Sequence, residues 1–295
     1  MKKHMGSSQT VLFILVSAAI WGQPAAGPEF EVVSIKPMVD DHGMGGGFYG
    51  CRGGPGSNDP GLITCRHESA KGLVPMAYGM MFTRISFGET AGGEPPQFEI
   101  EAKVPHGATK EQVLLMWQKF LADRFKMAVH RETRERPVYE MVVAKGGFKA
   151  PKWVDRPEDA QAAPAESGGR PQRDKDGFPI VPPGQSMGFF TGGKAWFVAP
   201  AGTMGDIARM LEGRLAINDR NPKPVLDATG LTGKYDLKFW WSPTADSPKP
   251  GADEPEGPSM LSALESQLGL KVQPKKSAPI EMLIVDHIEA KPTEN

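Results

Sequence analysis

Four short stretches of the chain repeat apolar residues with helical spacing, and the segments between them alternate apolar and polar residues. Thr109 to Ala122 places Val113, Trp117, Phe120 and Leu121 on one face, the i, i+4, i+7, i+8 stripe of an amphipathic helix. Ser259 to Leu268 does the same with Leu261, Leu264 and Leu268. Ser69 stands as a cap before Leu73, Met76, Ala77 and then Gly79, and Thr203 before Ile207, Met210, Leu211 and then Gly213. Corresponding positions lie 134 residues apart throughout, as Ser69 to Thr203 shows. Pro75 predicts that the first of these helices is short or kinked. Strand alternation appears in Phe30 to Lys36, in Phe98 to Lys103 and in Tyr235 to Trp240.

Each long helix empties into a strand, residues 125–127 or 270–272, and a polar turn is expected before a last strand opened by proline, 137–143 or 279–285. Each half therefore reads β-α-β-β-α-β-β. The fold class expected is α+β, two similar units of one duplicated domain, each a small, mostly antiparallel sheet covered by two helices. The expected division is a signal peptide over 1–26, a first domain over 27–147, a linker over 148–192 and a second domain over 193–295. Pro, Gly, Ala and charges fill the linker and erase periodicity there. A second insertion, Pro243 to Pro258, is rich in proline and acid.

Composition narrows the function. With 34 basic and 35 acidic residues the net charge is −1, which argues against nucleic-acid binding and against a polybasic membrane surface. Lys2 and Lys3 precede the apolar run Val11 to Ile20, with small residues and possible cleavage after Gly22 or Ala26. That is the pattern of a secretory leader and is short for a membrane span, which needs about 20 residues. Periplasmic or secreted localisation follows, with no membrane span after cleavage. Cys51 and Cys65 are the two cysteines, read first as a disulfide in an exported chain. The alternative, a reactive or metal-binding thiol pair, has neither CxxC spacing nor a histidine cluster nearby.

Candidate chemistry is sparse. Gly184-Gln185-Ser186-Met187-Gly188 fits G-x-S-x-G, but prolines precede it and no helix signal follows. His4, His42, His67, His106, His130 and His287 show no zinc spacing, and His130 sits in a charged run suited to cross-strand ion pairs. The glycine-rich loop 43–50 lacks the Gly-Lys-Ser/Thr ending of a phosphate loop. Trp196-Phe197 and Trp240-Trp241 should each send one ring into the core and leave the other half exposed. No catalytic, metal or cofactor residues are expected.

FEVVSIKP at 30–37, the run 104–147, and the closing stretches VLDATGLTGKYDLKFWWSP, SALESQLGLKV and IVDHIEAKPTEN resemble an exported family of unknown function, the domain of unknown function 3738 type, abundant in soil bacteria. Some of its members are fused to membrane metallopeptidases of the β-lactam-sensor type. The resemblance implies an extracytoplasmic sensing or interaction role and supplies no catalytic residues; this chain has no HExxH. Each half is also similar to the short N-terminal domain of secretins and TonB-dependent transducers, small modules that bind proteins. The function expected is a non-enzymatic extracytoplasmic binding or sensing module whose partner is a protein or a cell-envelope component. The alternative is a secreted hydrolase with a site between the halves.

Overall fold

The apolar faces read from the chain close into two flanking sheets joined by a third. The computed structural model describes residues 27–38, 49–88, 95–155, 172–217, 219–246 and 257–293. The expected leader, residues 43–48 of the glycine-rich loop, and much of both insertions lie outside them.

In the first half, β1 (Val32–Pro37), β2 (Gly50–Gly53), β3 (Leu62–Glu68) and β5 (Phe98–Lys103) form an antiparallel sheet in the order β1-β5-β3-β2. Helices α1 (Ala70–Tyr78) and α2 (Lys110–Phe125) accompany it. Thr109 caps α2 through a reciprocal box with Gln112. Trp117, Leu121 and Phe125 of α2 pack with Leu73, Val74 and Ile100 in one core. Cys51 and Cys65 face each other across β2 and β3 and form the disulfide.

The second half repeats the order. β7 (Met187–Thr191), β8 (Lys194–Gly202) and β10 (Tyr235–Trp241) form a sheet in the order β10-β8-β7. Helix α3 (Met204–Ala216), capped by Thr203 with Asp206, shares its core with α5 (Met260–Ala263), which runs on as a π-helical turn over Leu264–Leu268. Between them lies one turn, α4 (Pro243–Asp246). Phe197 and Trp241 are core residues, and Trp196 and Trp240 lie half-buried on the other face, as the alternation requires.

The third sheet was not foreseen. Its order is β4-β11-β6-β9, from β4 (Ile85–Phe87), β6 (Ala128–Val143), β9 (Val225–Asp227) and β11 (Leu270–His287). The polar turns expected within 128–136 and 273–278 do not form; each half ends in one unbroken strand. These strands pair antiparallel along their whole length, from Leu270 opposite Val143 to His287 opposite Ala128. The charged residues that suggested turns find partners across the ribbon: Arg131 with Glu281, Lys275 with Glu140 at 2.7 Å, and His130 with Asp286 at 2.8 Å. Each long strand also crosses between cores. Leu283 and Val285 of β11 belong to the first core, and Met141 of β6 to the second.

Three smaller expectations also change. β7 lies inside the expected linker, and Lys152 bridges to Tyr235. α3 runs through Gly213 to Ala216. Leu261 is exposed, while Met260, Ala263, Leu264 and Leu268 supply the buried face.

The 134-residue offset extends to the backbone. His67 (φ 53) and Ala201 (φ 56) both adopt the left-handed conformation, two residues before the caps Ser69 and Thr203. In both halves the strand register shifts at this point. The extra residue re-aims the chain from strand to helix. An L-residue in that conformation costs roughly 1–2 kcal/mol, so Ala201→Gly is expected to raise unfolding free energy in urea by about 0.5–1 kcal/mol after the entropy of glycine is counted.

The ribbon also carries a pH dependence. The hydrogen bond from the His130 imidazole to Asp286 raises its pKa above the ordinary 6.5. The folded state therefore favours imidazolium, a contribution complete below about pH 6.5 and lost as pH rises through the higher folded value. His130→Gln should flatten thermal stability against pH in that window, read by circular dichroism.

Candidate functional site

Where the two halves meet, α3 presents Gly205, Ala208, Arg209 and Glu212 along one face to a cleft of about 420 Å³, within the range of small-ligand sites. The chain after α1, at Gly79, Met80 and Met81, forms the opposite wall, and Val225 to Asp227 of β9 closes the side.

The floor is a bracket between the halves. Glu212 is 1% exposed and its carboxylate is fully engaged. Oε1 accepts from the Thr83 hydroxyl and, at 3.4 Å, from Arg84 Nε. Oε2 accepts from Arg84 Nη2 at 3.1 Å and from the Val225 N–H at 3.0 Å. Arg84 Nη2 also donates to the Val225 carbonyl at 3.3 Å. β6 uses the Pro224 carbonyl and the Ala228 N–H, so Val225 turns its backbone away from β6, and the ion pair caps that free edge as a neighbouring strand would. Arg136 holds Thr83 from the ribbon, donating to its carbonyl at 2.7 Å.

The other charged groups on the cleft differ in their commitments. Glu281 pairs with Arg131. Asp227 Oδ1 accepts from the Thr229 N–H and hydroxyl. Arg209 is exposed at the mouth, and no ion pair to it is seen among the described residues. The cleft thus offers an open guanidinium beside the thioethers of Met80 and Met81, adaptable apolar groups suited to varied ligand shapes.

The residues singled out from the sequence do not assemble elsewhere. Ser186 is exposed and followed by strand β7, so the nucleophile-elbow setting is absent. His67 stacks on Tyr49 and contacts Gln97 Oε1 at 3.3 Å. His106 lines a shallower depression with Pro28, Glu29 and Gln112. His287 is exposed on β11, and His4 and His42 lie outside the described residues. Among the described residues no group of His, Cys, Asp and Glu could hold a metal ion, and no helix is long and apolar enough to cross a membrane. On the outer face of the second sheet, Trp196 and Trp240 lie 6.2 Å apart, but Phe178 packs on the first and Lys194 covers the second. Sequence reading missed Thr83, Arg84, Arg209 and Glu212. One signal was present: Glu212 extends the stripe Ile207, Ala208, Leu211, where a charge must be buried and paired.

A family model described as protein of unknown function (DUF3738) matches residues 71–288, well over half of the 295. The match begins within α1, so β1 to β3 lie outside it. No curated protein and no solved structure matches the chain.

Removing one side of the bracket strands the other. Glu212→Ala leaves Arg84 and the Val225 N–H without their acceptor and should cost about 3–5 kcal/mol in urea unfolding. The double variant Arg84→Ala/Glu212→Ala should lose less than the sum of the singles, by about 0.5–3 kcal/mol.

Proposed function

For a chain that belongs to the DUF3738 family of unknown function, we propose a binding role: an extracytoplasmic, non-enzymatic module built from two copies of one ancestral unit, which takes a protein or cell-envelope component into the cleft between its halves. The observation that carries this reading is the saturation of Glu212. The one buried carboxylate of the described residues already accepts from Thr83, Arg84 and Val225. It has no lone pair free for substrate chemistry, and a general acid or base must reach the proton it moves. Arg209, Met80 and Met81 remain for recognition.

The matched order of elements, the capped helices and the paired left-handed residues His67 and Ala201 support common descent of the halves. The Cys51–Cys65 disulfide is compatible with an oxidising, extracytoplasmic compartment. Clustering of Asp227 and Glu281 at the same cleft favours, as the second reading, a hydrolase between the halves.

Arg209→Glu and Met81→Asp separate the two. Captured on the wild-type chain from a cell-envelope fraction and measured by quantitative mass spectrometry, the bound component should fall at least about tenfold with either variant, the loss of one charged contact and of apolar lining. Equal recovery on wild type and variants would remove the cleft from the binding role. Turnover of an envelope substrate abolished by Asp227→Asn would replace binding with hydrolysis.

A further inference from the structure

The outer face of the second sheet departs from the usual alternation. An antiparallel sheet with one face on a core normally presents polar residues on the other. Here Phe189, Trp196 and Trp240 stand in register across β7, β8 and β10, on the face away from the core rings Phe197 and Phe239. Lys238 lies two residues before Trp240 on β10 and so shares that face.

The chain covers this face with a hairpin of its own, residues 172–180. Arg173 bridges to Pro179, Asp174 N–H donates to the Phe178 carbonyl at 2.8 Å, and Ile180 N–H to the Gln172 carbonyl at 2.8 Å. Asp174 Oδ1 closes the turn, accepting from the N–H groups of Asp176 and Phe178. Side chains hold the hairpin to the sheet. Phe178 packs edge-on against Trp196 with centroids 5.0 Å apart, and the Arg173 guanidinium lies over the same indole. Lys238 Nζ reaches Asp174 Oδ2 at 2.9 Å and Asp176 Oδ2 at 3.3 Å. Pro179 and Val181 are buried at the foot. Among the described residues no backbone hydrogen bond joins 172–180 to the sheet.

This attachment is light. Partly exposed ion pairs contribute little to stability. The closed arrangement also carries a defect: Trp196 Nε1 is buried and finds no acceptor among the described residues. A buried donor left unpaired is costly and rare in folded proteins.

We propose that the hairpin is an intramolecular ligand, reversibly occupying a docking surface for a partner-protein segment of the same chemistry, an aromatic ring beside two carboxylates in a turn. The seated hairpin shows what the surface takes: a ring against Trp196 and carboxylates on Lys238. A partner turn that also brings an acceptor to Trp196 Nε1 outcompetes the hairpin, because it pairs the donor that the closed state leaves unsatisfied. A tethered copy acts at an effective concentration on the order of 1 mM. With an affinity of about 0.1 mM for a free segment, roughly a tenth of the molecules stand open, and the apparent affinity falls about tenfold.

Fluorescence anisotropy of a labelled synthetic peptide of residues 172–180 tests this. Asp174→Asn, Asp176→Asn and Phe178→Ala together should open the full chain, since asparagine keeps the Oδ1 acceptor of the turn while the latch is lost. The peptide should bind that variant at about 0.1 mM and the wild-type chain at least about tenfold more weakly. Lys238→Glu should abolish binding of this peptide and restore it for one carrying Asp174→Lys and Asp176→Lys. A peptide that fails to bind the opened chain, binds it and wild type alike, or binds regardless of the charge at 238 would overturn the proposal. Lys238→Glu releases the hairpin from the sheet side, so the charge-swapped pair decides the matter should the triple variant not fold. None of these readouts depends on the cleft between the halves.

Discussion

The antiparallel pairing of β6 with β11 is the constraint on which the rest of the structure depends. Each is the last strand of its half, and each begins beside its own core and ends against the other. Leu283 and Val285 pack with Trp117 and Phe125, while Met141 packs with Leu211 and Phe239. Backbone hydrogen bonds over this length leave neither half able to withdraw without unpairing the ribbon and opening both cores. The surface ion pairs along it contribute little energy individually; with the pairing of apolar residues they fix the register.

The cleft follows from that arrangement. Because β11 and β6 carry β4 and β9 on their outer edges, the chain leading from α1 to β4 is brought against α3 and β9 of the other half. A carboxylate at Glu212, buried in α3, then has Thr83, Arg84 and an edge N–H within reach. The bracket closes a sheet edge and locks the walls of a recognition surface with the same set of hydrogen bonds. A buried ion pair of this kind adds specificity of arrangement more than net stability, which suits a site whose two walls come from distant parts of the chain.

Much of this was written in the chain itself. Helix caps at Ser69 and Thr203, the alternating strands, the burial of one ring from each of the pairs Trp196-Phe197 and Trp240-Trp241, and the Cys51–Cys65 pair all rest on interactions within a few residues or between adjacent strands. Local spacing therefore determines them. The element order of each half was legible only in part: a hairpin strand precedes the first helix, and one unbroken strand stands where two were expected. What the sequence could not decide was the partner of 128–136 and 273–278. Charged, exposed residues satisfy a turn and a solvated ribbon equally well, and only a second strand 142 residues away, as from Pro137 to Pro279, removes the choice. Glu212, Arg84 and Thr83 were hidden likewise, since an ion pair between sites so far apart leaves no spacing to read. Tertiary structure alone set the shared sheet, the bracket and the cleft, because each requires two halves to be in place before any of its hydrogen bonds can form.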